Sequence, residues 1–219
     1  MKIIAKIRTD MSEKFGLPRQ SGLVPELCGR IVFEPEYRCA EALRGLDGFS
    51  HIWAIWRFDG FDGENWSPTV RPPRLGGNKR MGVFATRSPN RPNPIGLSLL
   101  KLERIEDGEL IVSGVDMRDG TAIYDIKPYL KITDCRPDAV DGFAEETAGK
   151  KCRVVFECAV AELSEDDLRT VTALLEEDPH PSYKNDRDRV YGMIYKDLNF
   201  KFTVNGGILT VIGIERGEK

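Results

Sequence analysis

The sequence predicts a mainly β protein, with a β-rich N-terminal domain of barrel or sandwich type followed by a small α+β domain. Short segments rich in β-branched and aromatic residues, separated by Gly and Pro turns, fill about the first 135 residues. A polar stretch without clear periodicity follows, and after it a helical pattern lies between strand patterns. We therefore expect domains at residues 1–136 and 151–219, joined by a connector at 137–150.

Each element of the N-terminal domain has its own local signal. Asp107-Gly108 is a strong hairpin turn between two apolar runs. Ala42, Leu43 and Leu46 have helical spacing, which predicts one short helix over 39–46. The predicted strands are Lys2–Arg8, Ile31–Phe33, Ile52–Phe58, Gly82–Thr86, Gly96–Ile105 and Leu110–Asp116.

The C-terminal domain combines one helix with several strands. Ser164 followed by three acids is a helix start, since the hydroxyl caps the first turn and the acids suit the helix dipole. The predicted strands are Arg153–Val160, Val190–Ile194, Phe200–Val204 and Ile208–Ile214. A unit of about 65 residues is marginally stable alone. We expect it to pack on the first domain or on a partner chain.

Composition restricts the function. The net charge is −3, so general adhesion to nucleic acid is not expected and any RNA contact must come from a local patch. Five cysteines without a Cys-x-x-Cys pair indicate reduced thiols, and two isolated histidines argue against a metal site. The charged, alternating N-terminus is not typical of a signal peptide, and no apolar run reaches membrane-spanning length. A cytoplasmic protein is expected.

One stretch departs from the acidic composition. Residues 65–102 contain no Asp or Glu, although 35 acids occur in the chain, and they include seven cations. Within it, Thr86–Pro94 carries prolines at positions 89, 92 and 94, which fix the backbone around Arg87 and Arg91. Such a loop loses little entropy on binding an anion. A stiff connection between strands is the structural alternative.

Two other segments carry candidate chemistry. In Leu17–Leu23, Arg19 can bind a carboxylate and Gln20 a purine edge, although an ordinary surface loop explains them equally well. Further on, Asp125, Lys127 and Tyr129 alternate and share one face of an extended segment, where they could transfer protons. From the residues alone, a surface strand with an ion pair is the better interpretation of these three.

Six strings occur together and in order over residues 1–135: Pro18–Gln20, Gly45–Trp53, Pro68–Asn78, Gly82–Ser88, Arg91–Ser98 and Asp125–Tyr129. In this combination the chain resembles the TsaA-like (TrmO) family of tRNA methyltransferases. Weaker markers, Asp178–Tyr183 and Tyr191–Phe200, extend the resemblance to the C-terminal part. No Rossmann, Walker or other familiar cofactor signature is present.

The resemblance implies a TsaA-like β-barrel, a homodimer, and S-adenosylmethionine (SAM) as methyl donor. The implied substrate is N6 of threonylcarbamoyl-adenosine at position 37, in the tRNA anticodon loop. Where family members often have Phe-His, this chain has Phe58-Asp59. The implied SAM contacts are Pro18, Arg19, Gln20, Phe58, Asp59, Arg87, Leu97, Asp116, Met117, Arg118 and Asp119.

The remaining roles follow from the chemistry of that reaction. The target nitrogen must lose a proton, and Asp125, Lys127 and Tyr129 are the candidates that accept it or orient the base. The cations expected to bind tRNA phosphates are Arg71, Arg74, Lys79, Arg80 and Arg91. Two alternatives stay open: a non-catalytic SAM-binding sensor or partner-docking module, and a plain RNA-binding β domain.

Overall fold

The computed structural model describes residues 1–75, 79–147, 149, 151–161, 163–180 and 189–217; side chains are excluded at Arg74, Glu146 and Thr147. The predicted strings Pro68–Asn78 and Asp178–Tyr183 therefore lie partly outside the described residues. None of the helices in the described part of the chain is long and apolar enough to cross a membrane.

Six antiparallel strands close into a barrel. They are β1 (Ala5–Thr9), β2 (Cys28–Phe33), β3 (His51–Arg57), β6 (Ile95–Glu106), β7 (Glu109–Ser113) and β8 (Ala122–Pro128). Around the barrel the order is β1-β2-β7-β6-β3-β8. The β-rich domain is thus a closed barrel, which confirms the barrel that the family resemblance implies.

Side chains point alternately into and out of the barrel along the strands, and the inward ones fill its interior. In β3, Ile52, Ala54 and Trp56 are buried, while the residues between them face outward. The β6–β7 hairpin confirms the predicted Asp107-Gly108 turn. Both turn residues have positive φ, 53° and 74°, which two-residue hairpins of this kind require.

Shorter elements connect the barrel strands. Helix α1 (Ala40–Leu43) and a 3₁₀ turn at Leu46–Gly48 replace the single predicted helix over 39–46. The predicted strand Gly82–Thr86 is wrong. Only β5 (Met81–Gly82) is a strand there; it pairs with β4 (Thr69–Val70), and a 3₁₀ turn at Val83–Ala85 follows it. Past the barrel come helix α2 (Lys131–Asp134) and a 3₁₀ segment at Gly142–Thr147.

The C-terminal domain is a four-stranded sheet with one helix. The elements are β9 (Arg153–Phe156), α3 (Glu165–Glu176), β10 (Tyr191–Tyr195), β11 (Leu198–Asn205) and β12 (Ile208–Arg216), with the sheet order β10-β11-β12-β9. Ser164 caps α3 as predicted, because its Oγ accepts the Asp167 N–H at 3.1 Å.

The C-terminal sheet packs on the loop that follows β1. The ring of Phe15 stacks on Tyr191 and Phe202 at centroid distances of 6.3 and 6.4 Å. A Cβ at Gly16 would lie only 2.5 Å from the side chain of Met193, so the two surfaces meet closely. Lys196 N–H also donates to the Asp10 carbonyl at 2.8 Å. The small domain therefore rests on the barrel domain of the same chain.

Candidate active site

A cleft of about 990 Å³ opens at the rim of the barrel, where β3 ends and β6 begins. Residues of three loops line it: the segment 14–21 after β1, the Pro-rich segment 86–91, and the turn 116–118 after β7. Ligand sites in proteins typically have volumes of about 300–1,000 Å³. The cleft is thus large enough for a cofactor-sized molecule.

The fold brings the residues implied for the cofactor together. All of them except Asp119 line the cleft: Pro18, Arg19, Gln20, Phe58, Asp59, Arg87, Leu97, Asp116, Met117 and Arg118. Asp119 has another task, because its carboxylate accepts the Thr9 N–H at 3.1 Å and lies 3.3 Å from Arg8 Nη1. It therefore holds the end of β1, and its role in cofactor binding stays a prediction.

The loop 14–21 is fixed from both sides. On the barrel side, Ser21 Oγ accepts the Leu99 N–H at 3.0 Å. Leu99 lies in the first part of β6, which does not pair with β7, since that pairing begins at Lys101. On the other side, Arg19 Nη2 donates to the carbonyl of Asp178 in the C-terminal domain at 2.7 Å. The small domain thus contacts the same loop that lines the cleft.

Cations dominate the charged groups of the cleft. Five line it, Lys14, Arg19, Arg87, Arg91 and Arg118, against two carboxylates, Asp59 and Asp116. This excess of positive charge in a concave site favours a ligand with negative groups. The acid-free stretch 65–102 of the sequence also indicated a positively charged site, although Lys14, Arg19 and Arg118 lie outside that stretch.

Two of these arginines are oriented by neighbours. Arg87 Nη1 donates to Gln20 Oε1, which joins the Pro-rich loop to the loop after β1. Arg118 Nη2 lies 3.1 Å from Asp59 Oδ2, whereas its Nε is buried without a hydrogen-bond partner among the described residues. A buried N–H of this kind is costly to leave unpaired, so it suits a ligand acceptor.

Asp116 is the main acidic group in the cleft. Ser98 Oγ–H donates to its Oδ1 at 2.6 Å, and Trp56 Nε1–H in turn donates to Ser98 Oγ at 2.8 Å. Burial raises the pKa of Asp116 to about 6, although hydrogen bonds from Ser98 and the backbone, and the charge of Arg87, favour its ionised form. A largely buried carboxylate held this way can meet an ammonium or hydroxyl group.

The three proposed proton acceptors do not line the cleft. Asp125 and Lys127 form an ion pair of 3.1 Å on the outer face of β8, with side chains 47% and 64% exposed. Tyr129 lies beyond them, with its ring 5.9 Å from that of Trp53. Trp53 does line the cleft and pairs with Lys127 across β3 and β8, so the three residues lie one strand away from it. Their catalytic role stays a prediction.

The cations expected to bind tRNA fall into two places. Arg91 lines the cleft, and its guanidinium lies 3.4 Å from the carbonyls of Thr86 and Ser88, within its own loop. Arg71, Lys79 and Arg80 are exposed outside the cleft, around β4 and β5. The side chain of Arg74 is outside the described part.

The sequence reasoning missed several residues of the cleft. Ser98 is a fully buried polar residue on the inward face of β6 between apolar neighbours, and that break in the alternation is a readable signal. Lys14 donates to the carbonyl of Asp59 at 2.7 Å and carries no comparable signal in the sequence. Trp56 contributes from the core, where it is buried.

Comparison with known proteins identifies the family. The family model of the tRNA-methyltransferase O N-terminal domain matches residues 6–135, and that of the TrmO C-terminal domain matches residues 150–217. The chain belongs to the TrmO family. This confirms the resemblance drawn from the sequence and, with it, the expectation of a methyltransferase.

Individual relatives agree with this assignment. The chain is 38% identical to the tRNA (adenine(37)-N6)-methyltransferase of Escherichia coli, over 97% of this chain and 96% of that protein. It is also 38% identical to the putative S-adenosylmethionine-dependent methyltransferase RcsF of Pseudomonas aeruginosa, over 90% and 88%. A crystal structure of TrmO from Pseudomonas aeruginosa has a TM-score of 0.80 and 32% identity, covering 98% of this chain and 95% of that one. The mainly β fold is thereby confirmed.

Proposed function

We propose that this TrmO-family chain methylates N6 of adenosine 37 in tRNA, with SAM as methyl donor, and that the target nucleoside carries a threonylcarbamoyl group. The observation that carries the proposal is the cation-rich cleft with a partly buried carboxylate, Asp116, lined by the residues implied for SAM. The names of the Escherichia coli and Pseudomonas aeruginosa relatives support both the reaction and the donor.

The residues of the cleft fit the charged groups of SAM. Its amino-acid part carries a carboxylate and an ammonium. Arg87 and the unpaired Nε of Arg118 are suited to the carboxylate, and Asp116 to the ammonium or the ribose hydroxyls. Apolar side chains, among them Leu17 and Leu97, offer contacts for the adenine ring. SAM, when bound, supplies a methyl group on a positively charged sulfur.

The chain contributes mainly by positioning. The rigid Pro-rich loop and the loop 14–21 hold their polar groups with little freedom, so the nitrogen and the methyl group can meet in line with little entropy left to lose. The N6 nitrogen is a weak nucleophile, since its lone pair is shared with the ring and the carbamoyl group. Its proton must leave during or before transfer.

We retain Asp125, Lys127 and Tyr129 as proposed groups for that proton. Because they lie one strand from the cleft, the target base would have to reach across Trp53 to meet them. The variants Asp125→Asn, Lys127→Met and Tyr129→Phe test this directly. A rate at saturating SAM and tRNA that stays at the wild-type value in all three excludes the assignment.

The proposal includes a homodimer that works in the cytoplasm. Apolar side chains are exposed around α2 and the segment after it: Leu130 at 41%, Ile132 at 90% and Val140 at 82%. Large exposed apolar side chains in one short segment can mark a subunit contact. We propose that a second copy covers them, and light scattering of the purified protein measures the mass. In a dimer, the tRNA-binding cations Arg71, Lys79 and Arg80 of two chains would act together.

The central experiment is a methylation assay with matched substrates. The protein is incubated with labelled SAM and with tRNA that either carries or lacks the threonylcarbamoyl group at position 37. We expect one added methyl mass on the modified nucleoside only. Methylation of both tRNAs would retain the enzyme and remove the threonylcarbamoyl requirement.

The same experiment separates the alternatives. SAM binding in calorimetry without methylation of either tRNA would favour the sensor or docking module. Binding of tRNA that does not depend on SAM, again without methylation, would favour a plain RNA-binding domain. Each of these outcomes would overturn the proposed reaction.

A further inference from the structure

Two aromatic side chains outside the cleft face solvent together. Trp66 is 40% exposed and Phe84 is 76% exposed. Their ring centroids are 6.3 Å apart with planes inclined by 30°, a stacked arrangement. Neither residue lines the cleft. Contiguous exposed apolar surface often marks a site that a ligand or partner covers, so this stacked pair is a candidate for such a site.

The two-stranded β4–β5 ribbon lies between this aromatic pair and two cationic side chains. Thr69 pairs with Gly82 and Val70 with Met81, and the Val83 N–H donates to the Pro68 carbonyl at 2.9 Å. Trp66 and Phe84 therefore lie beyond one end of the ribbon. Arg71 and Arg80 lie beyond the other, roughly 13–16 Å away along the chain at about 3.3 Å per residue.

The aromatic pair is rigidly connected to the cleft. Val83 is buried at 1% exposure and anchors the turn that presents Phe84. The Thr86 hydroxyl donates to the Val83 carbonyl at 2.8 Å, which closes that turn. Thr86 and Arg87 line the cleft directly after it, and Pro73 lines the cleft just after β4. A molecule seated in the cleft can thus extend onto the ribbon.

We propose that Trp66 and Phe84 form a stacking platform for an unpaired nucleotide of the RNA substrate that neighbours the methylated one, while Arg71 and Arg80 bind its phosphates. Aromatic faces stack bases of any sequence, and adjacent cations bind the backbone, a combination typical of sites for single-stranded RNA. No acid occurs from Trp66 to Phe84. This inference rests on the proposed tRNA methylation.

Binding of tRNA measured by fluorescence anisotropy, with S-adenosylhomocysteine present, tests the platform. We expect Phe84→Ala and Trp66→Ala each to weaken binding about tenfold, within the range found when a stacking ring is removed. Phe84→Tyr keeps the aromatic face and should bind like the wild type. Ile212→Ala, an apolar residue 44% exposed on β12, is the matched control and should have no effect.

The salt dependence distinguishes the two kinds of contact. Arg80→Gln should reduce the slope of log affinity against log salt by about 1, because one phosphate contact is lost. Phe84→Ala should leave that slope unchanged, since stacking releases no counterions. The affinity for SAM should remain at the wild-type value in both aromatic variants.

Three results would overturn the inference. The first is wild-type tRNA affinity in Phe84→Ala and Trp66→Ala. The second is a change in the oligomeric mass of Phe84→Ala by light scattering, which would make the pair a contact between copies of the chain. The third is wild-type protein that binds no tRNA. If the wild type binds tRNA and the aromatic variants weaken it, but methylation is absent, the platform is supported while the proposed reaction fails.

Discussion

Replacing Asp116 by Asn should change how the stability of the protein depends on pH. Burial raises the pKa of this carboxyl group to about 6, compared with an ordinary value of 3.8. The folded state therefore holds the proton more tightly than the unfolded state. The resulting stabilisation is complete below pH 3.8 and disappears as the pH rises through 6. The full difference corresponds to about 3 kcal/mol, since one pKa unit is about 1.36 kcal/mol.

A practical pH interval contains about half of this effect. At pH 5, Asp116 is about nine-tenths protonated in the folded protein but only about one-twentieth protonated in the unfolded chain; at pH 8 it is ionised in both. Moving from pH 8 to pH 5 thus adds about 1.4 kcal/mol to the unfolding free energy through this single group. The Asn variant cannot gain this contribution.

Urea unfolding of both proteins at pH 5 and pH 8 measures the effect. The wild type should gain about 1.4 kcal/mol over Asp116→Asn between pH 8 and pH 5. Any difference in unfolding free energy between the two proteins that does not depend on pH cancels in this comparison, including the loss of an acceptor for a backbone N–H. Ser98→Ala should increase the dependence, because it removes the hydroxyl that favours the ionised carboxylate. An equal difference between the proteins at both pH values would refute the reasoning.

Three other changes test the site. If ionised Asp116 meets SAM, the affinity for SAM should fall about tenfold from pH 7 to pH 5, and calorimetry of Asp116→Asn should find almost no such fall. Arg87→Ala should weaken SAM binding about tenfold or more, because a charge-assisted hydrogen bond is lost. The control variant is Arg57→Ala, at an exposed residue at the end of β3, and it should bind SAM like the wild type. Equal SAM affinities of the two variants would refute the assignment of Arg87. Gly96→Ala should lower the free energy of unfolding in urea by about 1–3 kcal/mol, since the new Cβ would lie 2.2 Å from the Trp56 ring. An unchanged free energy of unfolding would mean that the ring can move aside without cost.

Local signals in the sequence predicted the elements whose causes are local. The Asp107-Gly108 hairpin was predictable because two residues with positive φ are required there and Gly and Asp tolerate it. The cap of α3 was predictable because Ser164 reaches only three residues along the chain. The strand expected at Gly82–Thr86 failed for the opposite reason. The apolar Val83 is buried by tertiary packing within a 3₁₀ turn, and the pairing of β4 with β5 ends at Gly82.

The features of the candidate site also divide into those with local causes and those with tertiary causes. The sequence indicated a positive, stiffened anion site, and ten of the eleven residues that the resemblance implied for SAM line one cleft. It could not indicate that Ser98 and Trp56 hold Asp116, because these contacts join β3, β6 and the turn after β7. It also could not separate Asp119 from Asp116, three residues apart, since the direction of each side chain depends on the backbone of the turn.

By itself, the sequence determined the mainly β class, the change of pattern at the C-terminal domain, the family and the sign of charge expected at the site. The β class, the change of pattern and the sign of charge depend on periodicity, turn chemistry and composition, which act over a few residues. The family was indicated by six strings that resemble those of its members. Only the tertiary structure decided the order of the strands around the barrel, that Asp125, Lys127 and Tyr129 lie outside the cleft, and that the small domain contacts the loop at Arg19. These features depend on contacts between residues far apart in the chain, whose energies exist only after the chain has folded.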